Sequence, residues 1–98
     1  MKQVIVRPAA AADIEDAYRW YESQRADLGD GFLEALNVTR GRVLEQPEVF
    51  PVLHRNTRRA FIPQRFPYGL FYRVNGDTMA VVACMHAKRD PRRWQRRT

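Results

Sequence analysis

The sequence predicts an α+β two-layer sandwich of order β-α-α-β-β-β-β, with a helix hairpin packed on one face of a largely antiparallel sheet. Three observations predict it. A β-branched cluster, Val4-Ile5-Val6, opens the chain; apolar residues then recur at helical spacing through two segments broken by Leu28-Gly29-Asp30-Gly31; and two alternating runs flank Asn75-Gly76. With 98 residues, the chain is read as a single domain, 1–98, with a basic tail from about residue 87 to 98.

Lys2 to Val6 form the first strand, which Pro8 stops. From Ala9 to about Arg25, Ala10, Ile14, Ala17 and Tyr21 make a buried stripe, while Glu15, Arg19 and Glu22 fall on the solvated side. Asp13, Glu15 and Asp16 lie near the start, where carboxylates favour the helix dipole, and Trp20 and Tyr18 flank the stripe. Asp30 is the expected N-cap of a second helix that runs to about Gln46, before Pro47. Its main stripe is Phe32, Leu36, Thr39 and Val43, with Ala35 beside it. A further strip of Leu33, Leu44 and the stem of Arg40 either packs on the first helix or forms a partner groove.

Beyond the Pro47 to Pro51 loop, Val52-Leu53-His54 and Arg59 to Ile62 are short strands, and Pro63 and Pro67 bracket a bend. Tyr68 to Val74 and Asp77 to His86 then form a hairpin closed by Asn75-Gly76 as a type I′ turn. That register sets Val74 opposite Asp77, Tyr72 opposite Met79, Leu70 opposite Val81 and Tyr68 opposite Ala83, all on the helix-covered face. The opposite face then carries Phe71, Arg73, Thr78, Ala80, Val82, Cys84 and His86, uncovered by helix.

Charge is segregated along the chain. Residues 1–50 carry a net −3 and residues 51–98 a net +9, for +6 in total, so one end of the surface is suited to phosphate or an acidic peptide. The size argues against large cofactor enzymes, and no apolar run or signal-like N-terminus points away from the cytoplasm. Cys84 alone offers neither a disulfide nor a thiolate metal cluster and reads as a core residue. No cofactor or metal is expected. Dinucleotide, P-loop, zinc-protease and serine-hydrolase motifs are absent. Proton transfer would fall to His86, the alternative being a strand-end histidine bonded to backbone; Trp94 either stacks on a base or tethers the tail to the core.

Ala11-Ala12-Asp13-Ile14 with Trp20-Tyr21, Leu28-Gly29 with Phe32, Pro47 and Phe50-Pro51, Arg58-Arg59, Phe66-Pro67-Tyr68, Phe71-Tyr72-Arg73, His86, Arg89-Asp90-Pro91 and Trp94 follow one another over nearly the whole chain. This ordered set resembles the ParE/RelE toxin superfamily, and the ParE branch more closely. The resemblance implies a first strand beside the last and a toxin of a type II toxin–antitoxin pair. It implies an inhibitor of DNA gyrase that blocks replication by binding rather than catalysis, neutralised by a ParD-like antitoxin with an acidic C-terminal segment. On this reading the antitoxin meets Trp20, Leu33, Leu36, Arg40 and Leu44, and the target meets Arg89, Arg92, Arg93, Trp94, Arg96 and Arg97. The alternative is a RelE-like ribosome-dependent mRNA endonuclease whose set would be His86, Arg59, Arg65, Arg73 and Arg89. No tyrosine follows Tyr72 to serve such a nuclease.

Overall fold

The computed structural model describes residues 3–62 and 65–98. Lys2 of the expected first strand and Pro63 of the expected bend lie outside the described residues. The elements run β1 (Gln3–Val6), α1 (Pro8–Gln24), α2 (Leu28–Glu45), β2 (Val52–His54), β3 (Thr57–Phe61), β4 (Tyr68–Asn75), β5 (Thr78–His86) and α3 (Arg92–Gln95). The sheet order is β1-β5-β4-β3-β2, antiparallel throughout except that β1 runs parallel to β5.

Pro8 ends the first strand by starting a helix. It occupies the first helical turn of α1, where its missing N–H is not needed and its fixed φ is already helical. The α1 stripe is buried at Ala10, Ala17 and Tyr21, and Ile14 packs beside it. The second helix begins earlier than the sequence suggests. Asp27, in the left-handed region at φ 68°, occupies the N-cap position, and Asp30 lies inside the first turn. Neither side chain caps the helix. Glu22, expected to face solvent, instead accepts the Gly29 N–H through Oε1 at 2.8 Å, so one helix of the hairpin caps the other. A Cβ on Gly29 would stand 2.6 Å from Glu22 Cγ and 2.8 Å from the Tyr18 ring, and the close approach of the two helices therefore requires glycine.

Phe32, Leu36, Thr39 and Val43 are buried as their spacing demands. Phe32, Leu36 and Val43 join Tyr21, Phe66, Leu70, Tyr72, Met79, Val81 and Cys84 in the main core between the hairpin and the sheet. Aromatic contacts dominate one end: Tyr21 stacks on Phe32 at 5.4 Å, and Phe66 meets both edge-on.

Two turns differ from expectation. Arg55 and Asn56 both have positive φ and close a hairpin, so β3 starts at Thr57 rather than Arg59. In the β4–β5 hairpin Gly76 alone has positive φ, and the closing pair is Asn75 with Thr78. Gly76 and Asp77 are thus the turn residues, with glycine at the first central position, the type II′ pattern. The register accordingly pairs Val74 with Met79 and Tyr72 with Val81, a slip of two that leaves those residues on the predicted face.

The larger correction lies further along. A bulge between the Tyr72–Val81 and Phe71–Ala83 pairs inserts Val82 into β5. Beyond it Leu70 pairs with Cys84 and Tyr68 with His86, so Cys84 joins the helix-side core and His86 moves off the opposite face. Ala83 and Met85 instead face the other way, where they join Val82 and Phe71, which stand on the face expected of them. That face is not bare either. The C-terminal segment folds back over it and places Trp94 on Phe71, ring centroids 4.5 Å apart and nearly parallel, closing a second, smaller core.

Candidate functional site

β1 pairs with β5 only as far as Val6 opposite Val81, so among the described residues the second half of β5 has an edge without a neighbouring strand. Side chains occupy part of it. Asp13 Oδ2 accepts the Cys84 N–H at 3.0 Å, and Arg97 donates to the Val82 carbonyl at 3.1 Å. The same two side chains pair with each other at 2.6 Å, both largely buried, and Arg7 donates to the Arg97 carbonyl. Asp13, read from sequence as a dipole partner, thus joins α1, β5 and the C-terminal segment across 84 positions of chain. No local pattern foretells a contact of that separation.

Of the residues assigned to a target surface, Trp94 is buried and Arg97 is engaged by Asp13, so these two hold the segment in place. Trp94 is the tether among the two sequence readings. Arg89, Arg92, Arg93 and Arg96 are exposed around them. Arg92 forks onto Asp90, and those hydrogen bonds draw the Asp90 carboxyl down to about 2. The remaining three cations have no carboxylate within ion-pair distance among the described residues.

Of the residues assigned to a partner strip, Trp20 is 56% exposed, Arg40 is exposed, and Leu33 and Leu44 are half-buried against the main core. Leu36 is buried within that core. The strip thus packs in part on its own domain while its half-buried leucines still present some apolar surface.

The five residues of the alternative nuclease set divide. Arg59 and Arg89 line one pocket of about 260 Å³ on the sheet face opposite the helices, at the edge of the second core, and His86 borders it from the end of β5. Arg59 lies over the Phe61 ring at 4.2 Å, and its buried Nε has no hydrogen-bond partner among the described residues. A Cβ on Gly69 would come within 3.0 Å of the Arg59 side chain, so glycine there lets the arginine lie flat. Arg65, over Phe66, does not line that pocket but shares with His86 and Arg89 the larger one between α1 and β5. Arg73 pairs across to Thr57 and Ala80, near the opposite end of β4. His86 Nδ1 accepts the Lys88 N–H at 3.0 Å, the backbone-bonded arrangement of a strand-end histidine.

A second pocket, of about 600 Å³, opens between α1 and the free half of β5. Trp20, Tyr68 and His86 form its aromatic lining, and Arg65, Arg89 and Arg93 stand around it. Burial pushes the Tyr68 hydroxyl up, and burial followed by the nearby Asp13 carboxylate pushes the Cys84 thiol up to about 12, which keeps it protonated and inert. Among the described residues no His, Cys, Asp and Glu cluster is arranged to hold a metal, and no helix is long and apolar enough to cross a membrane.

Compared with known families, residues 4–91 match the family described as ParE toxin of type II toxin-antitoxin system, parDE. Curated protein sequences give no match. Among solved structures, the chain is similar to a chain of the chromosomal ParDE TA system from P. aeruginosa, with a TM-score of 0.65 and 19% identity over 90% of this chain and 98% of that one. At that identity the likeness is one of fold.

Proposed function

Because the chain belongs to the ParE toxin family of type II toxin–antitoxin systems, we propose that it arrests growth by binding DNA gyrase and that a ParD-like antitoxin with an acidic C-terminal segment neutralises it in a hetero-oligomer. The observation that carries this reading is the division of labour in the C-terminal segment. Trp94 and Arg97 fix it to the sheet, while Arg89, Arg92, Arg93 and Arg96 point outward from a rigid base. Guanidinium groups held in this way suit DNA phosphate or an acidic protein surface, and inhibition by binding needs no proton transfer. The hairpin offers the antitoxin Trp20, Arg40 and the half-buried Leu33 and Leu44. An acidic segment is attracted to the +6 chain from a distance before apolar burial holds it.

One observation favours the RelE-like endonuclease as the second reading, namely that Arg59, His86 and Arg89 share a pocket. Purified chain separates the two when added to a gyrase supercoiling reaction and to a cell-free translation reaction. We expect supercoiling to stop, cleaved DNA to accumulate and translation to continue. Replacing Arg92, Arg93 and Arg96 by Ala should raise the inhibitory concentration about tenfold, whereas His86→Gln should change it little, because only a surface hydrogen bond is lost. Arrested translation with cut mRNA and untouched supercoiling would put the nuclease first.

A further inference from the structure

The pocket between α1 and the free half of β5 joins an unpaired strand edge to unpaired cations. Ala87 donates its N–H to the Pro67 carbonyl at 2.7 Å, and the Cys84 N–H points the other way, to Asp13. Alternation along the strand therefore places the Cys84 carbonyl and the His86 N–H on the outer edge, flanking Met85, where β1 does not reach. One acceptor and one donor at this spacing are what an extended peptide bonds when it lies beside a strand. The contact is short by construction. The Cys84 N–H is taken by Asp13, and the His86 carbonyl by the Arg89 N–H at 3.0 Å.

Two main-chain bonds do not hold a peptide by themselves, so side chains must supply the rest. Arg65, Arg89 and Arg93 are exposed on the lining and have no carboxylate partner among the described residues. Of the two acidic residues there, Asp13 is neutralised by Arg97, which leaves Asp16 alone against three guanidinium groups. Trp20 and Tyr68 provide an apolar wall for alternate side chains. We propose that this groove takes an extended acidic peptide as a short added strand on the second half of β5, with its carboxylates on Arg65, Arg89 and Arg93. The proposal rests on the toxin–antitoxin reading and deepens it: the acidic segment of the antitoxin lies here, in line with β1, and covers two of the cations assigned to the target.

A short synthetic peptide of alternating glutamate and valine, titrated into the isolated chain and followed by amide and indole NMR signals, tests it. The His86 amide should shift and exchange more slowly with solvent, together with the Trp20 indole, while the Gln3–Val6 amides stay put. Arg65→Glu with Arg89→Glu, both surface changes, should weaken binding about tenfold or more. Equal binding of a glutamine–valine peptide, signals confined to β1 or the absence of any shift would overturn the proposal. The measurement does not depend on toxicity. Peptide binding at β5 by a chain that leaves gyrase unaffected would retain this site and remove the gyrase reading, whereas inhibition of gyrase without peptide binding would do the reverse.

Discussion

The two faces of the sheet are built on different principles. Under the helices, Phe32, Tyr72, Met79 and Val81 are fully or almost fully enclosed, and α1, α2 and three of the five strands contribute to or pack against that core. On the other face, Phe71, Val82, Ala83 and Met85 are covered by a four-residue helix through one indole. The first face supplies the stability of the domain. The second supplies a mounting for cations, and such a mounting needs to be rigid only where it touches the sheet. The contrast teaches that a cation-bearing segment can be attached to a fold at two points, here Trp94 and Arg97, without sharing in its main core.

The sharpest way to break the contrast is to truncate one anchor on each face. Phe32→Ala should cost about 3–5 kcal/mol and lower the stability of the whole domain. Trp94→Ala should cost less in global unfolding, about 2 kcal/mol, because its cover can detach while the main core stays closed. Hydrogen exchange checks this: in Trp94→Ala, fast exchange should be confined to the C-terminal segment and the Val82–Met85 stretch. Loss of protection throughout both helices would show that the two cores are one cooperative unit.

Arg97→Ala sharpens the comparison at the second anchor. It leaves the Asp13 carboxylate largely buried with only the Cys84 N–H, at a cost of about 1–2 kcal/mol. Asp13→Asn retains an acceptor for that N–H and should cost less. Urea denaturation of both variants tests the ordering, and equal losses would locate the effect in the ion pair alone.

The smallest expected effect belongs to the helix-covered face. The Tyr72 hydroxyl donates to the Pro47 carbonyl at 2.7 Å, and burial raises its ionisation from 10.0 to about 12. A folded value above the unfolded one means that this contribution is complete below pH 10 and is lost as pH rises towards 12. Tyr72→Phe should cost about 1 kcal/mol at neutral pH and lessen the alkaline decline. Denaturation midpoints at pH 8 and pH 11 decide this; an unchanged alkaline slope would assign the decline to other groups.

Much of the helix-covered face was legible because it rests on period. Ala10, Ala17 and Tyr21, and Phe32, Leu36, Thr39 and Val43, are read from spacing alone and are buried. The second face was not legible, for a definite reason. Spacing assigns faces only while alternation holds, and the extra residue at Val82 reverses it, exchanging Cys84 and His86 for Ala83 and Met85. Nothing in Ala80-Val81-Val82-Ala83 distinguishes a bulge from a regular buried strand. The candidate site was legible by composition and not by geometry. The concentration of arginines after His86 was plain, but which of them bind the domain itself depended on Asp13, a residue whose local setting suggested only a helix dipole.

The parallel pairing of β1 with β5 has a consequence for how the protein comes into being. Gln3 lies opposite Thr78, so the sheet cannot acquire its first strand until its last has been made. Contacts of such separation close late, and synthesis delivers roughly 5–20 residues per second. While the last strand is still within the ribosome, β1 has no neighbour, and neither the strand edge beside α1 nor the arginine-bearing segment has formed. A chain abandoned before β5 is released would therefore carry neither the groove beside α1 nor the assembled arginine-bearing segment.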